Sequence, residues 1–95
     1  MSNLIEGQVK AINEAGDLVT DISVQSLAEA PVDDSVRVAV GPHETVGIYG
    51  TDHQEPEATM IAVRGSSGCL EIGIVGMSIS EMLGISAGEK VVVRW

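Results

Sequence analysis

The residues best suited to chemistry gather in the second half of the chain. Gly65-Ser66-Ser67-Gly68 is a small polar turn directly before the alternating run Cys69-Leu70-Glu71-Ile72, and a second turn, Val75-Gly76-Met77-Ser78, follows that run. Turns at the two ends of one strand set backbone N–H groups and hydroxyls around one small polar ligand. The same residue types also serve an ordinary hairpin, where Ser and Gly satisfy and relax their own backbone. Asp17 and Asp21 have the chemistry of an acid/base pair or a cation site, but no third ligand accompanies them, and solvated turn acids are the plainer reading. His43 and His53 are expected in Gly/Pro/Asp-rich loops, and with Cys69 as the one cysteine they do not make the close spacing a zinc site needs. Cys69 itself reads as a packed or half-exposed thiol, since free Cys behaves as a small hydrophobe. Neither a G-x-S-x-G elbow, a P-loop nor a G-x-G-x-x-G fingerprint is present.

These groups must be held by a small scaffold. The chain has 95 residues, one domain over residues 1–95. With one Tyr, one Trp and no Phe, its core has to be aliphatic. Trp95 reads as a core or interface anchor. The net charge of −9, from 14 acids against 5 bases, excludes a surface that neutralises phosphates and disfavours an anionic membrane. A single cysteine suits a reducing compartment, and the N-terminus carries neither a basic region nor a long apolar run, so a cytoplasmic location is expected.

Short Val, Ile and Thr runs between turn signals predict strands over residues 4–12, 18–24, 35–40, 45–49, 59–64, 70–74 and 90–95. Glu14-Ala15-Gly16-Asp17 is the turn between the first two, which pair as a hairpin. Ser26-Leu27-Ala28-Glu29 and Ser78-Ile79-Ser80-Glu81 both fit a capping box, and Gly84 is placed to end the second helix. The expected fold is all-β: a small closed or nearly closed, Greek-key-like barrel of about seven strands with one or two short helices, a sandwich being the alternative.

Several segments taken together resemble the C-terminal domain of the S-adenosyl-L-methionine hydroxide adenosyltransferase family, which also includes the fluorinating and chlorinating enzymes. Gly7-Gln8-Val9 and Ile12-Asn13-Glu14-Ala15-Gly16-Asp17-Leu18-Val19-Thr20-Asp21-Ile22 resemble that family's "G-x-V…I-D-x-F-G-N-L-x-T-N-I". Ser66-Ser67-Gly68-Cys69-Leu70-Glu71-Ile72-Gly73-Ile74 resembles "S-S-G-x-L-E-I-A-V". Val46-Gly47-Ile48-Tyr49 resembles its "T-Y" strand, and Leu83-Gly84 with Gly88-Glu89-Lys90-Val91 resembles "L-G…G-D-x-V". The family's domain is a small Greek-key barrel.

The resemblance implies a ligand held between this barrel and a larger α/β domain of a neighbouring subunit in a trimer. Met1 stands just before the first strand, so the expectation is a stand-alone barrel, uncertain as an enzyme and not catalytic by itself. It carries no cofactor of its own but is expected to take S-adenosylmethionine or adenosine as ligand. The family's Phe-Gly-Asn is Ala15-Gly16-Asp17 here: the methionine-holding Asn becomes Asp17, which binds an ammonium but donates no amide hydrogen, and an apolar wall is lost. The ligand-binding residues so implied are Asp17, Tyr49 as a stacking surface, the hydroxyls of Ser66 and Ser67, and the backbone of Gly76, Met77 and Ser78 for an adenine edge. Expected partners are copies of the chain, as a trimer or dimer, or a separate α/β protein that completes a split adenosyltransferase; nucleic acid and membrane are not expected.

Overall fold

Apolar residues two apart in sequence build a molecule made almost wholly of strands, in a computed structural model that describes residues 3–31 and 35–95. In chain order these are β1 (Leu4–Ile12), β2 (Leu18–Ser23), β3 (Arg37–Val40), β4 (His43–Val46), β5 (Ile48–Tyr49), β6 (Met60–Arg64), β7 (Cys69–Ile74) and β8 (Lys90–Arg94), with the helix α1 (Ile79–Leu83) between the last two. They form one sheet in the order β4-β3-β8-β1-β2-β7-β6-β5. Its neighbours pair antiparallel except β5 with β6. The chain leaves β2 to enter β3 on the far side of β1 and β8, a Greek-key-like connection. The sheet's ends approach each other: Thr45 Oγ1 on β4 donates to the Met60 carbonyl on β6 at 2.9 Å. The result is the nearly closed barrel expected.

Inward-facing positions fill it with aliphatic side chains. Val9, Leu18, Val38, Val40, Leu70, Ile72, Val91 and Val93 are fully buried. Burial of each such side chain contributes about 1.5–3 kcal/mol. Ile79 of α1 is also fully buried and joins the same core, and Trp95 packs partly buried against it. Thr20 is the one buried polar residue among those described; its hydroxyl donates to the Leu70 carbonyl at 2.7 Å and so costs little.

The expected elements shift in three places. The run 45–49 is two strands, because Gly47 turns the backbone with φ 87°, and eight strands result. The 4-residue 3-10 turn Val24–Leu27 is capped by Ser23, whose side chain accepts from the Ser26 N–H, so the cap lies three residues before the expected Ser26. His43 lies in β4 opposite Val40, not in a loop. The second helix matches expectation: Ser78 Oγ accepts from the Glu81 N–H, and Gly84 ends the helix in the left-handed region.

Candidate functional site

The outer face of the sheet carries a second, smaller apolar surface. On β6 and β7, Ile61 stands opposite Gly73 and Val63 opposite Glu71, while the alternate partners Ala62 and Ile72 point into the core. Ile61 and, on β2, Val19 are nonetheless buried without belonging to the central core. Over this floor lies a cleft of about 470 Å³. Two turns flank it: Ala15 and Asp17 from the β1–β2 hairpin, and Val75 to Ser78 after β7.

Local sequence fixes both turns. Asn13 Oδ1 accepts from the N–H groups of Ala15 and Asp17, each at 3.0 Å, while the Gly16 N–H reaches the Asn13 carbonyl at 3.0 Å. Gly16 has φ 84°, and a Cβ there would collide with Ser78, so only glycine allows the hairpin to press against the start of α1. The Gly16 carbonyl accepts from the Ser80 N–H at 3.1 Å. Val75 is tied on both sides, its N–H to Thr59 and its carbonyl to Ala58, each at 2.9 Å. The Gly76 N–H makes no hydrogen bond within the described residues, which leaves it open to an acceptor.

Two acidic residues line the cleft. Asp17 lies over Gly73, where a Cβ would displace it. Burial holds its carboxyl above the usual carboxylate value; a hydrogen bond with Asn13 opposes that rise, and the nearby charge of Glu71 adds to it. Glu71 Oε2 accepts from the Ser67 hydroxyl at 2.6 Å and the Ser67 N–H at 3.4 Å. That bend of the Glu71 side chain passes over Gly65, at a point any Cβ would occupy. His53 enters from the 50–57 loop; its Nδ1 accepts from the Glu55 N–H at 3.3 Å, which places the proton of the neutral ring on Nε2.

Of the residues expected to bind a ligand, Asp17, Gly76, Met77 and Ser78 come together along this cleft. Tyr49, Ser66 and Ser67 do not line it. Tyr49 lies behind His53, in an edge-to-face contact with ring centroids 6.4 Å apart. Ser67 is engaged by Glu71, and Ser66 is exposed in its turn. The Ser78 hydroxyl is likewise occupied, in capping α1. Asp21 is outside the cleft, with Oδ1 accepting from the Gln8 N–H at 2.9 Å. Cys69 is half-buried, and its Sγ lies 3.4 Å from Lys10 Nζ.

Among the described residues no three of His, Cys, Asp and Glu gather to hold a metal ion, and no helix is long and apolar enough to cross a membrane.

Over residues 7–92 the sequence matches the profile of the SAM hydroxide adenosyltransferase C-terminal domain. No curated protein matches the chain. Among solved structures, an uncharacterized conserved protein from Thermotoga maritima superposes with a TM-score of 0.76 at 22% identity, over 95% of this chain and 35% of its own. A conserved hypothetical protein from Thermus thermophilus does so with a TM-score of 0.73 at 31% identity, over 93% of this chain and 34% of its own. The chain therefore spans about a third of the length of these structures.

Proposed function

The chain belongs to the family of SAM hydroxide adenosyltransferase C-terminal domains, and from that premise we propose that its cleft binds an adenosyl-bearing small molecule such as S-adenosylmethionine or adenosine. The observation that carries this reading is the convergence of the two turns, residues 13–17 and 75–78, over one apolar floor. Ile61 and Val63 offer a surface for a flat ring. The free Gly76 N–H offers a donor to a ring nitrogen. Asp17 offers an acceptor to an ammonium or hydroxyl.

The barrel contributes binding and not, by itself, the reaction. Displacement at a carbon next to a sulfonium needs a nucleophile held in line and stripped of water. The cleft is walled by one face of one barrel, and its ionisable lining consists of acids and His53. A second protein surface has to close it for chemistry to occur. Met77, which lines the cleft and is 42% exposed, favours such a surface there, supplied by another copy of the chain or by a separate α/β protein.

Thermal unfolding with S-adenosylmethionine, adenosine and methionine tests the reading. A ligand that binds only the native state at a hundred times its Kd adds about 2.7 kcal/mol and raises the melting point. We expect the two adenosyl compounds to raise it and Ile61→Asp, which charges the floor, to abolish the rise. No rise at saturating concentration of either compound overturns the reading.

A further inference from the structure

The charges around the cleft say which adenosine compounds it takes. Its ionisable lining residues are Asp17, Glu71 and His53, with no Lys or Arg. Arg64, the cation on the neighbouring strand β6, is turned away to donate to the Ile48 carbonyl at 3.2 Å. The chain's other bases do not line the cleft: Lys10 reaches Cys69, two residues before Glu71 on β7, while Lys90 pairs with Glu6 and Arg37 and Arg94 with Glu44.

Glu71 is held in place by three features of the turn before it. Ser67 gives Oε2 two donors, and Gly65 leaves the room for the carboxylate to bend back. Oε1 makes no hydrogen bond within the described residues. Val63, opposite Glu71, and Val19, its partner on β2, are apolar, so neither cross-strand partner pairs with its charge. A carboxylate fixed in this way imposes a negative field on whatever rests on Ile61 and Gly73.

We propose that Glu71, positioned by Ser67, is a specificity-determining residue that makes the cleft accept neutral or cationic adenosine compounds and reject those carrying a phosphate. This rests on the cleft's being an adenosyl site. A phosphate brought beside Asp17 and Glu71 meets two like charges and no Lys or Arg among the cleft's lining residues. An uncharged hydroxyl or a positive ammonium meets an acceptor in Glu71 Oε1. Like-charge contact across several ångströms at an intermediate dielectric corresponds to roughly a tenfold change in affinity per charge.

Isothermal titration of the purified chain at pH 8 with adenosine and with AMP, at low and at high salt, reads this directly. The wild-type chain binds adenosine at least roughly tenfold more tightly than AMP, and the gap narrows in high salt as screening grows. Glu71→Gln keeps the side chain's size and its contact with Ser67, and it narrows the gap by improving AMP while leaving the melting point of the free protein nearly unchanged. Ser67→Ala, which frees the Glu71 side chain to swing out, narrows it less. AMP binding as tightly as adenosine to the wild-type chain overturns the inference and leaves the adenosyl site standing. A gap that Glu71→Gln does not alter overturns the role of Glu71. Binding of neither compound removes the site itself, and the inference with it.

Discussion

The two halves of the barrel's outer face treat charge in opposite ways. On the β3-β8-β1 half, Arg37, Arg94 and Lys90 each have an acid: Glu44 accepts from Arg37 at 3.1 Å and Arg94 at 2.8 Å, and Glu6 pairs with Lys90 at 3.2 Å. These pairs are largely exposed, and such pairs contribute little to stability. On the β2-β7-β6 half, Asp17 and Glu71 line a cleft that has no Lys or Arg in its lining, and burial and the nearby charge of Glu71 work against ionisation of Asp17. The first half pairs its charges at the surface. The second keeps the charge of Asp17 where burial makes it a cost. A fold tolerates that cost where a ligand relieves it.

The sharpest way to break this contrast is to disturb the turn that holds Asp17. Gly16→Ala adds a Cβ that runs into Ser78 at a backbone angle of φ 84°. It is expected to lower stability by about 2–4 kcal/mol in urea denaturation and to loosen the hairpin from α1. A loss under about 0.5 kcal/mol shows that the close contact is not needed.

A smaller effect comes from removing the charge. The folded-state pKa of Asp17 is raised, so the native chain holds that proton more tightly than the unfolded one does. Its favourable contribution is complete below the unfolded value of about 3.8 and is lost as pH rises through the folded value. At neutral pH the charged Asp17 is a cost. Asp17→Asn therefore raises stability at pH 7, by less than about 1 kcal/mol after screening by solvent, and the gain shrinks as pH falls below the folded value. A loss at pH 7, with no pH dependence, contradicts the account of the cleft's charge.

The smallest effect is expected on the opposite half. Arg94→Ala breaks one of the two ion pairs to Glu44 and should change stability by no more than about 0.5 kcal/mol, most visibly at low salt. A change several times larger means that the paired half does more than present a solvated face.

Much of the barrel was legible because its signals are local. Alternation over Leu18 to Ile22 and Leu70 to Ile74 marks the inward face whatever the partners are. Ser78 and Gly84 mark the two ends of α1 by their own chemistry. The break at Gly47 was hidden inside the apolar run Val46-Gly47-Ile48-Tyr49, where only pairing with β6 reveals it. At the other cap, Ser23 and Ser26 compete, and the strand pattern leading into Val24 masked the winner.

The cleft was legible only as turns. The residues of Ala15-Gly16-Asp17 and Val75-Gly76-Met77-Ser78 announce themselves, and both turns do meet. The Gly65-Ser66-Ser67-Gly68 turn announces itself equally, yet Ser67 serves Glu71 rather than the cleft. Glu71 reads in sequence as the outward residue of an alternating strand, and His53 as a loop histidine. Register and a long-range contact bring them to one place, and neither is written in local spacing.

The central claim is that a ligand rests on the β2-β7-β6 face. Backbone amide chemical shifts recorded while adenosine is titrated into the labelled chain test it most directly. The account predicts shifts that cluster at residues 15–17 and 71–78, with Gly76 among the largest, while residues 37–40 and 90–94 stay still. Shifts confined to the Arg37–Arg94 face, or none at saturation, contradict it.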